Sequence, residues 1–392
     1  MNLLFYRYGS ICEPFLLKAF KSLGVHVTEL DYEIHTKNAS PLDCINRLSQ
    51  VLMDGNYNLV FSINFFPTVS DVCNIFHIPY AGWTVDCPVM ELFNKSITNS
   101  CNYLFLFDRC QYEEIAPLNP GHIFYLPLAT DPDYMQSVIK TSSPADSFSS
   151  DIAFVGSLYT EKCAYDRLTN PPEYLNGYLN GIMAAQLKVY GYYFINEVLP
   201  NHIIADFKKN FPGYYSPVDA PYLTDEIIIS QLYIGNKISA LERKKLLALL
   251  ASHFCVDIYT MSDTTGIPNL HNCGSADSMT EMPLIFHNST INLNMTSKPI
   301  RSGIPLRIWD ILGCKGFTIT NFQAEIPEYF TPGEDIEVYE SEEDLIEKCR
   351  YYLAHPKRAK EIAENAFDNI CKNHTYQHRM EALLRTIFET NN

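Results

Sequence analysis

The sequence predicts an α/β protein made of two doubly wound domains. Short apolar runs alternate with helix-period patterns through residue 145. A Ser-rich stretch at 142–150 then interrupts the alternation, and a new series of strand signals starts at Asp151.

The first domain reads in order. Residues 3–6 form a strand signal. Phe15, Leu16, Ala19, Phe20 and Leu23 then share one helical face, which Gly24 closes. Residues 25–30 are the next strand, and Leu42, Ile45, Leu48, Val51 and Leu52 mark a second helix. Strand signals follow at 59–63, 79–83, 103–107 and 123–126, with a short helix at 71–76. Strands alternating with helices imply right-handed crossovers, hence a parallel sheet with ligands beyond its carboxyl edge. The segments expected there are Gly9-Ser10, residues 64–67, Asp86-Cys87-Pro88 and Asp108-Arg109.

The second domain starts with a strand at 151–155 that ends in Gly156-Ser157. Residues 160–250 are rich in Tyr and Leu at helical spacing and read as a helical insertion. Strand signals resume at 256–259, 291–294, 317–320 and 336–339. The last stretch is helical, with Ala359, Ile362, Ala363, Ala366, Phe367 and Ile370 on one stripe. The expected division is 1–145, 151–375 and a terminal helix at 376–392.

Bulk properties narrow the function. The formal charge of −16 opposes phosphate backbones and anionic membranes, so no nucleic-acid partner is expected. No run reaches the ~18 apolar residues of a membrane span. The N-terminus reads as a strand rather than a signal peptide, and a cytoplasmic location is expected. The 12 cysteines include no C-x-x-C pair. Cys73, Cys101, Cys255 and Cys349 lie in apolar stretches, as reduced core thiols do, and no metal site is expected.

The most informative stretch lies in the second half. The strand ending at Asn294 leads into a polar loop carrying Lys298, Arg301, Gly303 and Pro305. A helix then begins near Leu306. Its free N–H groups make an anion site, and Arg307 adds a fixed cation for a diphosphate. A surface salt bridge is the alternative role for Arg307. Asp310, one turn on, can accept from ribose hydroxyls or simply complement the helix dipole. Lys298 and Arg301 are further cations for a leaving diphosphate. Tyr259 and Thr260 end a neighbouring strand, and Gly274 with 280–283, Met282 included, can border a nucleotide base. Asp131-Pro132-Asp133 reads as a turn rather than a metal motif.

Residues 291–379 carry Pro305-Leu306-Arg307, Asp310, Gly316-Phe317, Tyr339-Glu340-Ser341 and His374-Thr375-Tyr376 followed by Arg379. This segment resembles the C-terminal domain of the CgeB-like spore-maturation glycosyltransferases, within the wider family 1/4 type. The pieces Tyr80 to Asp86, Phe107-Asp108-Arg109 and Leu126 to Ala129 resemble the N-terminal domain that often precedes it. The resemblance implies a GT-B fold, two Rossmann-like domains facing across a cleft, with the final helix returning to the first. It implies a hexosyltransferase-like enzyme using a nucleotide-sugar donor, with no cofactor and no metal. Gly156-Ser157 would then lie beside the donor phosphates. The acceptor stays open between a protein, a cell-surface polymer and a small molecule.

Relatives of this type carry two glutamates about eight residues apart. Asp310 holds the second position and Ser302 the first. That departure keeps in view a degenerate GT-B scaffold in envelope or spore-surface assembly, and a GT-B nucleotide-sugar epimerase is a second enzyme class beside the transferase. An inverting transferase also needs a base for the acceptor proton. Asp86, beyond a strand that holds Trp83, is the candidate, and an N-cap role for the helix after Pro88 is its alternative. Glu13 and His35 are weaker choices. A retaining enzyme needs no such base.

Overall fold

The computed structural model describes residues 1–36, 40–142, 148–161 and 163–389. The Ser-rich stretch at 142–150 lies largely outside the described residues. The chain divides into two compact units, each built on a six-stranded parallel sheet.

The first unit comprises Met1–Thr130, Pro217–Leu223 and the chain from Asn373. Its strands are β1 (Asn2–Tyr6), β2 (His26–Leu30), β3 (Leu59–Ile63), β4 (Tyr80–Trp83), β5 (Asn102–Leu106) and β6 (Ile123–Tyr125), in the order β2-β1-β3-β4-β5-β6. β3 and β4 are buried at every position, which is why they read as continuous apolar runs. β2 is an edge strand and exposes His26 and Glu29. The helix Tyr376–Glu389 packs on the helix Glu13–Ser22. Tyr376 stacks on Phe15, with ring centroids 5.7 Å apart, and meets Trp83 edge-on at 6.1 Å. Met380, Leu383 and Ile387 are fully buried, each burial contributing roughly 1.5–3 kcal/mol. Arg379 Nε adds hydrogen bonds to the carbonyls of Pro127 (2.9 Å) and Leu128 (3.1 Å).

The second unit comprises Asp131–Ser216 and Thr224–Lys372. The compact division therefore falls at Thr130/Asp131 rather than at 145. The helix Pro132–Thr141 belongs to the second unit because it packs on the helices Met282–Asn288 and Leu306–Gly313. Asp131 caps it, accepting from the Tyr134 N–H at 2.9 Å. The Asp-Pro-Asp segment is thus a capped helix start rather than a turn.

The second sheet contains β7 (Ile152–Val155), β8 (Val256–Tyr259), β9 (His271–Asn272), β10 (Ile291–Asn294), β11 (Thr318–Asn321) and β12 (Glu337–Tyr339). Their order is β12-β11-β10-β7-β8-β9. The order reverses between β7 and β10, which defines the topological switch point. Between β7 and β8 lie the helices Glu173–Gln186 and Asn201–Lys209, then a π-helical segment, Ile228–Ile234, that runs into the helix Gly235–Ala251. Pro217–Leu223 leaves this insertion for the first unit. There the Tyr222 N–H meets the Phe93 carbonyl at 3.4 Å, and Asp219 pairs with Lys95 at 2.8 Å.

Gly316 precedes β11. A Cβ there would sit 2.7 Å from the Phe286 carbonyl oxygen and 2.9 Å from the Asn292 amide nitrogen. Only glycine permits this backbone approach. Cys73, Cys101 and Cys349 are buried as expected, whereas Cys255 is exposed. Among the described residues no helix is long and apolar enough to cross a membrane.

Candidate functional site

Each unit offers a carboxyl edge of its sheet, and the two edges differ in chemistry. In the second unit, β7 and β10 part at the switch point, and one buried side chain spans the gap. Arg243, on the helix Gly235–Ala251, donates from Nη1 to the Ser157 carbonyl at 2.5 Å and from Nη2 to the Met295 carbonyl at 2.6 Å. Its guanidinium lies 4.5 Å from the Tyr159 ring centroid. Burial pulls its pKa down, with Tyr159 and Glu242 opposing. An arginine starts so high that it stays charged.

Beyond the ends of β7 and β8 lies a cavity of ≈ 240 Å³ lined by Gly156, Ser157, Glu161, Tyr259, Ser262, Met282 and Arg307, among others. Arg307 belongs to the first turn of the helix Leu306–Gly313, with Pro305 in extended conformation at the N-cap. Two contacts hold its part-buried guanidinium. Nη1 lies 3.1 Å from Met282 Sδ, and the group sits 5.4 Å from the Phe286 ring centroid. Burial lowers its pKa, and Asp310 one turn on acts in the opposite direction. Met282 therefore supports Arg307 as well as lining the cavity.

Glu161 gives the same cavity a carboxylate. It accepts from Ser157 Oγ at 2.5 Å and from Ser262 Oγ at 2.8 Å. Partial burial pushes its pKa up, but these hydrogen bonds outweigh burial and hold it below the ordinary value. The hydroxyls of Ser157 and Ser262 are thus pre-oriented by an anion.

The cavity brings together Gly156, Ser157, Tyr259, Met282 and Arg307, and five other expected donor residues do not line it. Asn294 spends its side-chain amide inside the sheet, donating to Thr320 Oγ1 at 2.8 Å and Thr296 Oγ1 at 3.1 Å. Lys298 is buried with Glu242, 2.7 Å from its Oε1, and lies 4.9 Å from the Tyr190 ring centroid. Its charge is met by the protein's own carboxylate, because the loop turns this side chain inward. The Gly303 carbonyl accepts from Gln323 Nε2 at 3.1 Å. Pro305 supplies the N-cap position, and Asp310 is buried. At Ser302, the hydroxyl donates to the buried Glu325 carboxylate at 2.7 Å. A glutamate from elsewhere in the chain thus reaches this position.

In the first unit Asp86 is exposed beyond β4. Its Oδ2 accepts from Asn64 Nδ2 at 2.8 Å, and Asn64 Oδ1 accepts from the Val85 N–H at 3.0 Å. Asn64 has φ 59°, a left-handed conformation that asparagine tolerates. The following 3-10 helix starts at Met90 with Val89 at its N-cap, so Asp86 is not its cap. Glu13 is fully buried and accepts from the N–H groups of Tyr8 (2.9 Å), Gly9 (2.9 Å) and Ser10 (3.1 Å). Its other oxygen pairs with Arg7 Nε at 2.9 Å. A carboxylate so held is not available as a base. His35 is exposed and pairs with Asp31 at 3.1 Å.

Arg243 and Glu161 were missed by sequence reasoning, and Asn64 was expected only as part of the strand-end segment 64–67. Arg243 stands in the charged run Leu241-Glu242-Arg243-Lys244-Lys245, which looks solvated. The available signal was phase, since Arg243 falls in helical register with the buried Leu246 and Leu250.

Residues 262–385 match the glycosyl transferase-like family. The matched span holds Met282, the helix of Arg307 and the strands β9 to β12. Among solved structures, sucrose-phosphate synthase from Thermosynechococcus elongatus superposes with a TM-score of 0.52 at 11% identity, covering 100% of both chains. HepE from Anabaena, in complex with UDP and glucose, gives a TM-score of 0.53 at 9% identity, covering 100% of this chain and 99% of that one. No curated protein matches the sequence. The fold is therefore GT-B, with two Rossmann-like domains, and its C-terminal part is glycosyltransferase-like.

Proposed function

We propose that this protein is a glycosyltransferase that takes its sugar from a nucleotide-sugar donor held by the second unit. One observation carries the reading, the cavity at the ends of β7 and β8 where the Gly156-Ser157 loop meets Arg307. When a glycosidic bond to a nucleotide breaks, the diphosphate leaves with new negative charge. A fixed guanidinium in a partly dry site stabilises that charge more than water does. The cavity, at ≈ 240 Å³, is smaller than the ~300–1,000 Å³ of ordinary ligand pockets. It accounts for one end of the donor, the diphosphate and its neighbouring ribose, rather than the whole molecule. The UDP named with HepE makes a uridine nucleotide the first donor to try.

In the same reading, Asp86 of the first unit receives the acceptor's proton, and Asn64 holds its carboxylate in place. A CgeB-like subtype, transfer without a metal and a hexosyl donor belong to this proposal, and the acceptor class stays open. The test is a thermal-shift panel of UDP, GDP, ADP and dTDP with their glucose derivatives. One base series should raise Tm, by an amount that grows with ligand concentration. Arg307→Ala should remove most of that rise while the unliganded Tm changes little. A panel in which no nucleotide shifts Tm, or an Arg307→Ala variant that shifts like the wild type, refutes the donor site.

A further inference from the structure

Beside the cavity but outside its lining, the edge of the second sheet gathers three side chains of metal-binding type. Asp257 on β8 pairs in register with His271 on the two-residue edge strand β9. Cys273 follows one residue beyond β9, its N–H bonded to the Ile258 carbonyl at 2.8 Å. Alternation along a strand puts residues 271 and 273 on one face, the face Asp257 shares across the ladder. Asp257 Oδ1 lies 2.7 Å from His271 Nδ1, and Cys273 Sγ lies 3.6 Å from the same nitrogen. One ligand atom from each residue falls within 4.8 Å of the others, the one such group found among the described residues.

We propose that Asp257, His271 and Cys273 form a binding site for a divalent transition-metal ion of the zinc class, with water completing the tetrahedron. Zinc–sulfur and zinc–nitrogen bonds of about 2.3 and 2.0 Å at tetrahedral angles put S and N about 3.5 Å apart. The Cys273–His271 separation of 3.6 Å already lies close to this value. The same geometry puts N and O about 3.3 Å apart, so the Asp257 carboxylate opens by about half an ångström. His271 is well exposed and Asp257 partly so, which leaves both room to adjust. A mixed S, N, O set suits zinc better than the hard cations, which prefer oxygen alone. On binding, the Cys273 thiol forms a metal–sulfur bond and releases its proton to water. The imidazole keeps one proton, on Nε2, and coordinates through Nδ1.

The position gives the ion a structural consequence. Cys273 leads directly into 274–278, the segment whose Ser275, Ala276 and Ser278 line the cavity. An ion held at Cys273 fastens that wall to the sheet edge. This proposal stands independently of what the cavity binds.

The test titrates the full chain with Zn²⁺ against a chromophoric chelator and counts bound metal after dialysis. The expected result is one ion per chain with micromolar or tighter affinity, lost in His271→Ala and in Cys273→Ser. Cys255→Ser and Cys371→Ser, which alter exposed thiols elsewhere, should bind as the wild type does. Co²⁺ in place of Zn²⁺ should give a thiolate-to-metal charge-transfer band that Cys273→Ser abolishes. Zn²⁺ should also slow amide exchange across 272–278 in the wild type only. All four substituted side chains in this test are solvent-exposed, and circular dichroism checks that each variant folds. Wild-type binding of no zinc at micromolar concentrations, or undiminished binding by both His271→Ala and Cys273→Ser, overturns the assignment.

Discussion

Replacing Arg243 by methionine tests whether a buried cation ties the two halves of the second sheet together at the switch point. The substitution keeps most of the aliphatic volume and removes both hydrogen bonds, to the Ser157 carbonyl at 2.5 Å and the Met295 carbonyl at 2.6 Å. A hydrogen bond from a charged group contributes about 1.5–3 kcal/mol. Two of them set a ceiling of roughly 3–6 kcal/mol, part of which is returned because a desolvated charge has been removed. The expected net loss is about 3 kcal/mol, which lowers Tm by ~6–12 °C in a domain of 150–250 residues. Urea unfolding followed by far-UV circular dichroism measures it. Arg243→Lys should recover only part of the loss, since one ammonium does not span both carbonyls as the planar fork does. A methionine variant within ~0.5 kcal/mol of wild type, the range of ordinary surface substitutions, would show that the two carbonyls do not depend on this side chain.

Two further outcomes follow from contacts described above. Glu242→Gln leaves the buried Lys298 ammonium without its counter-charge and should cost about 3–5 kcal/mol. The double variant Glu242→Met/Lys298→Met should regain most of that in denaturant titration, and equal losses in the single and double variants would deny the ion pair. Gly316→Ala drives a methyl into the Phe286 carbonyl and should destabilise the second unit by about 1–3 kcal/mol, read by urea midpoint.

Much of the fold could be read from the sequence because its strands are buried on both faces. β3 is buried at every position and begins and ends where its apolar run does, as a parallel sheet covered by helices requires, and β8 and β10 span 256–259 and 291–294 as expected although each carries polar residues. β9 was invisible because its two residues, His271 and Asn272, are both exposed and leave no apolar pattern. The Ser-rich composition of 142–150 reads as a linker, whereas the compact units part at Thr130/Asp131 because the helix Pro132–Thr141 finds its packing partners in the second unit. At the cavity, strand-end glycine and helix-start arginine were legible because position in the topology dictates them. Lys298 misled because a lysine in a polar loop reads the same whether it points out or in. Its partner Glu242 lies 56 positions earlier, a contact that local pattern does not register. Arg243 and Glu161 were missed for the same reason, since long-range neighbours define their roles.

The buried carboxylate of Glu13 has a wider meaning for the architecture. Three consecutive amides after β1 converge on it, as such amides converge on a bound phosphate in other sheets of this kind. The first sheet thus comes with its anion built in and has no vacancy for a nucleotide tail at that spot. After β7 the corresponding amides are met by neutral oxygens instead, the Gly156 N–H by the Tyr259 carbonyl (3.1 Å), the Leu158 N–H by Ser262 Oγ (2.8 Å) and the Tyr159 N–H by Ser157 Oγ (2.7 Å). Two similar scaffolds in one chain are therefore not interchangeable: the turn after the first strand is closed by a charged side chain, and the turn after β7 by neutral oxygens.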